Sequence, residues 1–86
     1  MSNPRLADDV QASELDGELV LFAAASSRML RLNGIAGLIA LHCDGEHSAA
    51  EIVDRLAGLL PEADRAVLAR DVERTLDGLR REKVLN

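Results

Sequence analysis

His42 and Cys43 are adjacent, and His47 follows in the same short stretch, so one thiol and two imidazoles crowd a small part of the chain. Two chemistries use such groups: a thiolate nucleophile activated by histidine, and a metal held by histidine and cysteine. Neighbouring residues on a helix point about 100° apart, which keeps the His42 ring from taking the Cys43 proton. Free cysteine is most often a small core residue, and Cys43 reads as one. His42 and His47 lack a third ligand at recognisable spacing and read as solvated loop residues.

Carboxylates are the next candidates. Asp8-Asp9, Glu14 with Asp16 and Glu18, and Asp44 with Glu46 cluster near expected turns. General acid–base work needs a cleft and a shifted pKa; charges at hairpin tips serve solubility instead. Gly34 and Gly37 match no phosphate-binding loop, and Gly37 inside a helix suits close backbone packing. Ser13-Glu14-Leu15 is the nearest approach to the Asp-Ser-Leu of an acyl carrier, and it precedes a turn rather than opening a helix. With no nucleophile, base and orienting group in sequence reach, the chain is expected not to be an enzyme and to need no cofactor or metal.

The elements that would position any site come from an 86-residue chain, read as a single domain over 1–86 with residues 1–5 expected to fray. Apolar residues make up 48% and charged residues 29%, an ordinary globular balance. Phe22 is the one aromatic residue, so the core must be aliphatic and base-stacking platforms are excluded. A net charge of −5 repels nucleic acid and anionic membranes, and neither is expected as a partner. One cysteine excludes an internal disulfide and suits a reducing cytoplasm. No apolar run reaches the length of a membrane span.

Residues 10–13 alternate like a strand, and Asp16-Gly17 signals a hairpin because both residues tolerate positive φ. Residues 19–22 form a continuous apolar strand. Ser26-Ser27 turns the chain into a third strand over 28–32, with Leu30 and Leu32 on one face and Met29 and Arg31 on the other. Asn33 is placed to cap a first helix carrying Ile35, Leu38, Ile39, Leu41 and Cys43, apolar nearly all round and therefore central. Gly45 ends it. Ser48 and Glu51 have capping-box spacing, opening a second helix with a stripe of Ile52, Val53, Leu56, Leu59 and Leu60, stopped by Pro61. A third helix over 62–82 carries Leu68, Val72, Leu76 and Leu79, after which Val84 and Leu85 fold back onto the core. The expected class is α+β: a three-stranded antiparallel sheet followed by three helices, in a winged helix-turn-helix-like order.

In a DNA-binding winged helix that third helix would be basic on its exposed side. Here Arg65, Arg70, Arg74, Arg80 and Arg81 are balanced by Glu62, Asp64, Asp71, Glu73, Asp77 and Glu82, with Asp71–Arg74 and Asp77–Arg81 spaced for pairing. The sheet offers more. A meander leaves edge strands with unpaired N–H and C=O groups, and the strand over 28–32 ends the meander. An extended peptide could add there, or Arg28 and Arg31 could merely guard an idle edge.

Leu32-Asn33, Ile35-Ala36, Asp44-Gly45, Ser48 and Glu51-Ile52, taken in order, resemble the core pattern of the PqqD-like family. Asp16-Gly17-Glu18 with its apolar strand, and Asp71-Val72 with Leu76 and Leu79, extend the resemblance over residues 8–85. Members often carry an aromatic residue in the third strand, where this chain has Met29 and Leu30. The resemblance implies a RiPP recognition element, a winged helix-turn-helix domain that captures the leader of a ribosomally made precursor peptide and presents it to modifying enzymes. It implies a site of Arg28, Met29, Leu30, Arg31 and Leu32 on the strand with Val67, Asp71, Arg74, Thr75 and Gly78 on the third helix. The implied partners are the leader and a modifying enzyme, such as a radical SAM enzyme or a leader peptidase. The domain is expected as a monomer, with a dimer left open. The pathway stays open too, between pyrroloquinoline quinone assembly, lasso-peptide maturation and another radical-enzyme system. A DNA-binding or protein-docking winged helix is the alternative.

Overall fold

Asp16 and Gly17 both take positive φ, 53° and 80°, the geometry of a two-residue turn that matches the twist of the strands it joins. That turn connects β1 (Val10–Leu15) to β2 (Glu18–Ala23), and a turn through Ser26 and Ser27 leads on to β3 (Arg28–Leu32). The chain is seen as a computed structural model that describes residues 3–32 and 34–86. The sheet is antiparallel in the order β1-β2-β3, so β3 is an edge strand. Asn33 lies outside the described residues, as do residues 1 and 2.

Three helices follow: α1 (Gly34–Leu41), α2 (Ala49–Leu59) and α3 (Arg65–Arg81). Ser48 caps α2 through both halves of the capping box: its hydroxyl accepts from the Glu51 N–H, and its own N–H donates to the Glu51 carboxylate. The third helix starts later than the expected 62. Asp64 caps it by accepting from the Ala66 N–H, leaving residues 62 and 63 in the preceding turn. The first helix is shorter than expected, and Cys43 follows it rather than lying within it, though still buried. Gly45 does adopt positive φ, but in the loop between α1 and α2.

Alternation decides what each strand buries. Leu19, Leu21 and Ala23 of β2 point into a core shared with Ile39, Ile52, Leu56, Leu68, Val72, Leu76 and Val84. Phe22 lies on the other face and is exposed. The expected apolar stripes need two corrections: Leu41 and Leu59 are 52% and 59% exposed, because each faces away from its helix's packed side. Gly37 lets α1 approach the sheet, since a Cβ there would sit 3.4 Å from both the Leu19 Cβ and the Leu32 carbonyl.

Residues 3–5 are tied down, against expectation. The Asn3 side-chain amide donates to the Gly45 carbonyl, Gly45 N–H donates to Pro4, and Arg5 bridges to Asp44. Leu6 bridges to Leu85 while Val84 is buried, so the chain's two ends meet and close the core together. Of the ion pairs expected along α3, Asp77 pairs with Arg80 instead of Arg81. Among the described residues no helix is long and apolar enough to cross a membrane.

Candidate functional site

Which main-chain groups of the β3 edge are open follows from the first hairpin. A two-residue turn of this type makes its flanking residues, Leu15 and Glu18, a hydrogen-bonded pair, and hydrogen bonding then alternates along the ladder. Odd residues of β1 therefore face β2. Flanking bonds agree: the Asp9 carbonyl accepts from Ala24 N–H at 3.2 Å, while Val10 N–H turns to Ala7 O at 3.0 Å. On β2 the amides of Leu19, Leu21 and Ala23 are left to serve β3, whose register partners are Leu32, Leu30 and Arg28. Hence the N–H and C=O groups of Met29 and Arg31 point away from the sheet.

Beside that edge runs an open groove of about 280 Å³ lined by Leu30 and Leu32 of β3, Ala36 of α1, and Thr75, Gly78, Leu79 and Glu82 along and just beyond α3. Its volume lies just under the ~300–1,000 Å³ of small-molecule sites. The groove is a mostly apolar trough suited to side chains. Gly78 widens it, since no heavy atom lies within 4 Å of where its Cβ would be.

Arginines flank the edge, each engaged. Arg28 pairs with Glu82, linking the start of β3 to the end of α3. Arg31 donates to Glu18 at 2.6 and 3.1 Å on the sheet's outer face. The Glu82 oxygen in that pair, Oε1, is buried against the groove, so the Arg28 guanidinium is what offsets its burial.

Two of the five strand residues and two of the five helix residues named from the sequence border one groove. Leu30, Leu32, Thr75 and Gly78 line it directly. Arg28 reaches its end through Glu82, while Met29 and Arg31 supply the open main-chain edge and turn their side chains to the sheet's outer face. Val67 and Asp71 continue the Thr75–Gly78 side of α3 toward its start, beyond the groove; Arg74 is exposed one position off that stripe. Sequence reasoning missed Ala36 and Glu82, and assigned Leu79 to the core alone. Glu82 was within reach, lying one helical turn past Gly78 on the same face.

The other candidate chemistry has structural settings. Cys43 is buried, its thiol pushed up to about 11 by burial first and the Asp44 charge second. Its Sγ–H donates to the Ile39 carbonyl. The histidines are not merely solvated. His42 Nδ1 lies 2.8 Å from the Leu38 carbonyl, and His47 Nδ1 lies 2.9 Å from Asp44 Oδ1. Among the described residues no three His, Cys, Asp or Glu side chains gather to hold a metal. A second hollow of about 130 Å³ lies between the first hairpin and α1, lined by Glu14, Leu38 and Leu41 among others.

The sequence pattern described as coenzyme PQQ synthesis protein D (PqqD) matches residues 18–85. Two solved structures share the fold at 23% identity. TbiB1 in complex with the TbiA(beta) leader peptide superposes with a TM-score of 0.84, over 95% of this chain and 94% of that one. A lasso peptide synthetase B1 complexed with the leader peptide gives a TM-score of 0.83 over 98% of each chain. No curated protein matches the chain.

Proposed function

This chain belongs to the PqqD family, and on that premise we propose that it is a non-catalytic recognition module that binds the leader of a ribosomally made precursor peptide. The leader adds to β3 as a further strand and is presented to a modifying enzyme, such as a radical SAM enzyme or a leader peptidase, in a reducing cytoplasm. The observation that carries this reading is an open strand edge beside a mostly apolar groove, with Leu30 and Leu32 belonging to both. The two solved relatives named above are themselves complexes with leader peptides.

Register specifies how such a guest would sit. Its main chain exchanges bonds with Met29 and Arg31, each contributing a net ~0.5–1.5 kcal/mol. Guest residues opposite Leu30 and Leu32 then point into the groove, toward Thr75, Gly78 and Leu79. Alternate residues lie on the outer face beside Met29 and Arg31. A guest with apolar residues at every second position fits this edge. Val67, Asp71 and Arg74 complete the proposed site as contacts for a guest that runs on past the groove.

Titrating the isotope-labelled domain with the leader of a precursor encoded beside its gene tests the proposal. The expected result is saturable amide shifts at residues 28–32 and 75–82. Shifts confined to other loops, or no saturation, would count against it. The DNA-binding alternative predicts duplex binding that weakens steeply with salt.

A further inference from the structure

Six of the seven residues lining the groove beside β3 carry no charge; the seventh is Glu82, at the end where β3 begins. Arg28 lies on the same face of β3 as Leu30 and Leu32, and from there its Nη2 pairs with Glu82 Oε1. Arg31, the strand's other cation, is held by Glu18 on the outer face. One end of an otherwise uncharged trough is therefore marked by an ion pair. Its side chains are 55% and 35% exposed, and a strand added to β3 would cover them.

Resting on the reading of β3 as the leader-binding edge, we propose that Arg28 and Glu82 determine which guest residue is accepted at that end. They select a neutral hydrogen-bonding side chain and reject charge of either sign. Met29 and Arg31 exchange main-chain bonds with the guest, so the guest residue opposite Arg28 turns to the groove side, as those opposite Leu30 and Leu32 do. Cross-strand neighbours stand about 5 Å apart, which brings that side chain within reach of both the guanidinium and the carboxylate. From the Arg28 end, the guest pattern is neutral polar, then apolar, then apolar, at every second residue.

The chemistry of the pair sets this preference. A guanidinium only donates hydrogen bonds and a carboxylate only accepts them. The contact between Nη2 and Oε1 leaves further N–H groups on Arg28 and the second oxygen of Glu82 for a guest. A serine, threonine, asparagine or glutamine side chain can donate and accept, and so serves both partners. A guest lysine gains Glu82 but meets Arg28; a guest glutamate gains Arg28 but meets Glu82. An apolar residue takes the remaining polar atoms out of water without replacing their hydrogen bonds. Removing either charge unbalances the pair and inverts the selection.

The test uses the leader of a precursor encoded beside the gene, synthesised with glutamine, lysine, glutamate or leucine at each position in turn. These peptides are titrated into the wild-type domain and into Arg28→Ala and Glu82→Gln, each checked for folding by circular dichroism. The expected result is one guest position, two residues from an apolar one, at which glutamine binds about 5-fold more tightly than lysine or glutamate. At that position lysine becomes the preferred residue for Arg28→Ala, and glutamate for Glu82→Gln. Each single variant tests one sign independently, and the exchanged pair, Arg28→Glu with Glu82→Arg, restores the preference for glutamine. A leader that shifts the Met29 and Arg31 amides while no position changes its preference among the folded variants overturns the assignment and leaves β3 as the binding edge. A leader that leaves those amides unmoved overturns the recognition reading, and the assignment with it.

Discussion

Arg28, the first residue of β3, forms an ion pair with Glu82, the C-terminal cap of α3. The pair ties the strand edge to the helix at one end of the groove. The side chains are 55% and 35% exposed, so solvent screens the attraction and its net value is about 0–1 kcal/mol. Arg28→Ala should lower stability by no more than about 1 kcal/mol, read by urea unfolding. A double-mutant cycle with Glu82→Gln should return a coupling of the same size. A coupling several times larger would mean that the pair organises the groove.

Proline scanning of β3 separates outward from inward donors. Met29→Pro and Arg31→Pro remove N–H groups that face solvent, so both should fold and bind the leader weakly. Leu30→Pro removes an N–H directed at Leu21. It should destabilise the domain by about 1–3 kcal/mol, because it leaves the Leu21 carbonyl unpaired inside the sheet. Circular dichroism melts beside leader titrations distinguish the two classes.

Gly78 separates stability from binding. A Cβ there meets nothing, so Gly78→Ala should stabilise α3 by about 0.5–1 kcal/mol through helix propensity. Gly78→Leu should fold as well and fill the groove, reducing leader affinity by ~10-fold or more, the effect of losing about 1.4 kcal/mol. Equal leader affinity in both variants would move the binding surface away from this groove.

Cys43 gives an alkaline signature. Folding pushes its thiol up from 9.0 to about 11, mainly by burial. Between these values the unfolded chain binds fewer protons, so stability is full below the lower value and falls as pH rises toward the upper. Thiol-specific reagents should modify the native protein slowly at neutral pH and the urea-unfolded protein rapidly, as followed by mass spectrometry.

Asp44 and Glu51 set the acid limb. The Glu46 N–H, and then His47, hold the Asp44 carboxyl below its ordinary value; the Ser48 N–H does the same for Glu51. A carboxylate with a depressed folded pKa contributes stability above its unfolded pKa and loses it as pH falls through the folded one. Melting temperature should therefore hold near neutrality and decline below about pH 4. Asp44→Asn and Glu51→Gln should each flatten that decline.

Features built from neighbouring residues were legible in the sequence alone. Asp16-Gly17 specifies its turn because both backbones must take positive φ. Ser48 and Glu51 specify a helix start because their bonds close within four residues. The bounds of β3 followed from alternation between two turn signals. The start of α3 was misplaced because Glu62 and Asp64 are both plausible openers, and only Asp64 reaches the Ala66 amide.

Relations between distant elements belonged to the tertiary structure. Nothing local says that residues 3–6 pair with the loop at Asp44 and with Leu85, or that Glu82 meets Arg28. Those contacts depend on how the helices cross beneath the sheet, which the packing of the whole core decides. The same packing chose which half of α3 borders β3, bringing Thr75 and Gly78 to the groove and leaving Val67 and Asp71 beyond it. Periodicity identifies the buried stripe of a helix, but the neighbour lying beside that stripe is settled only when all the apolar faces are buried together.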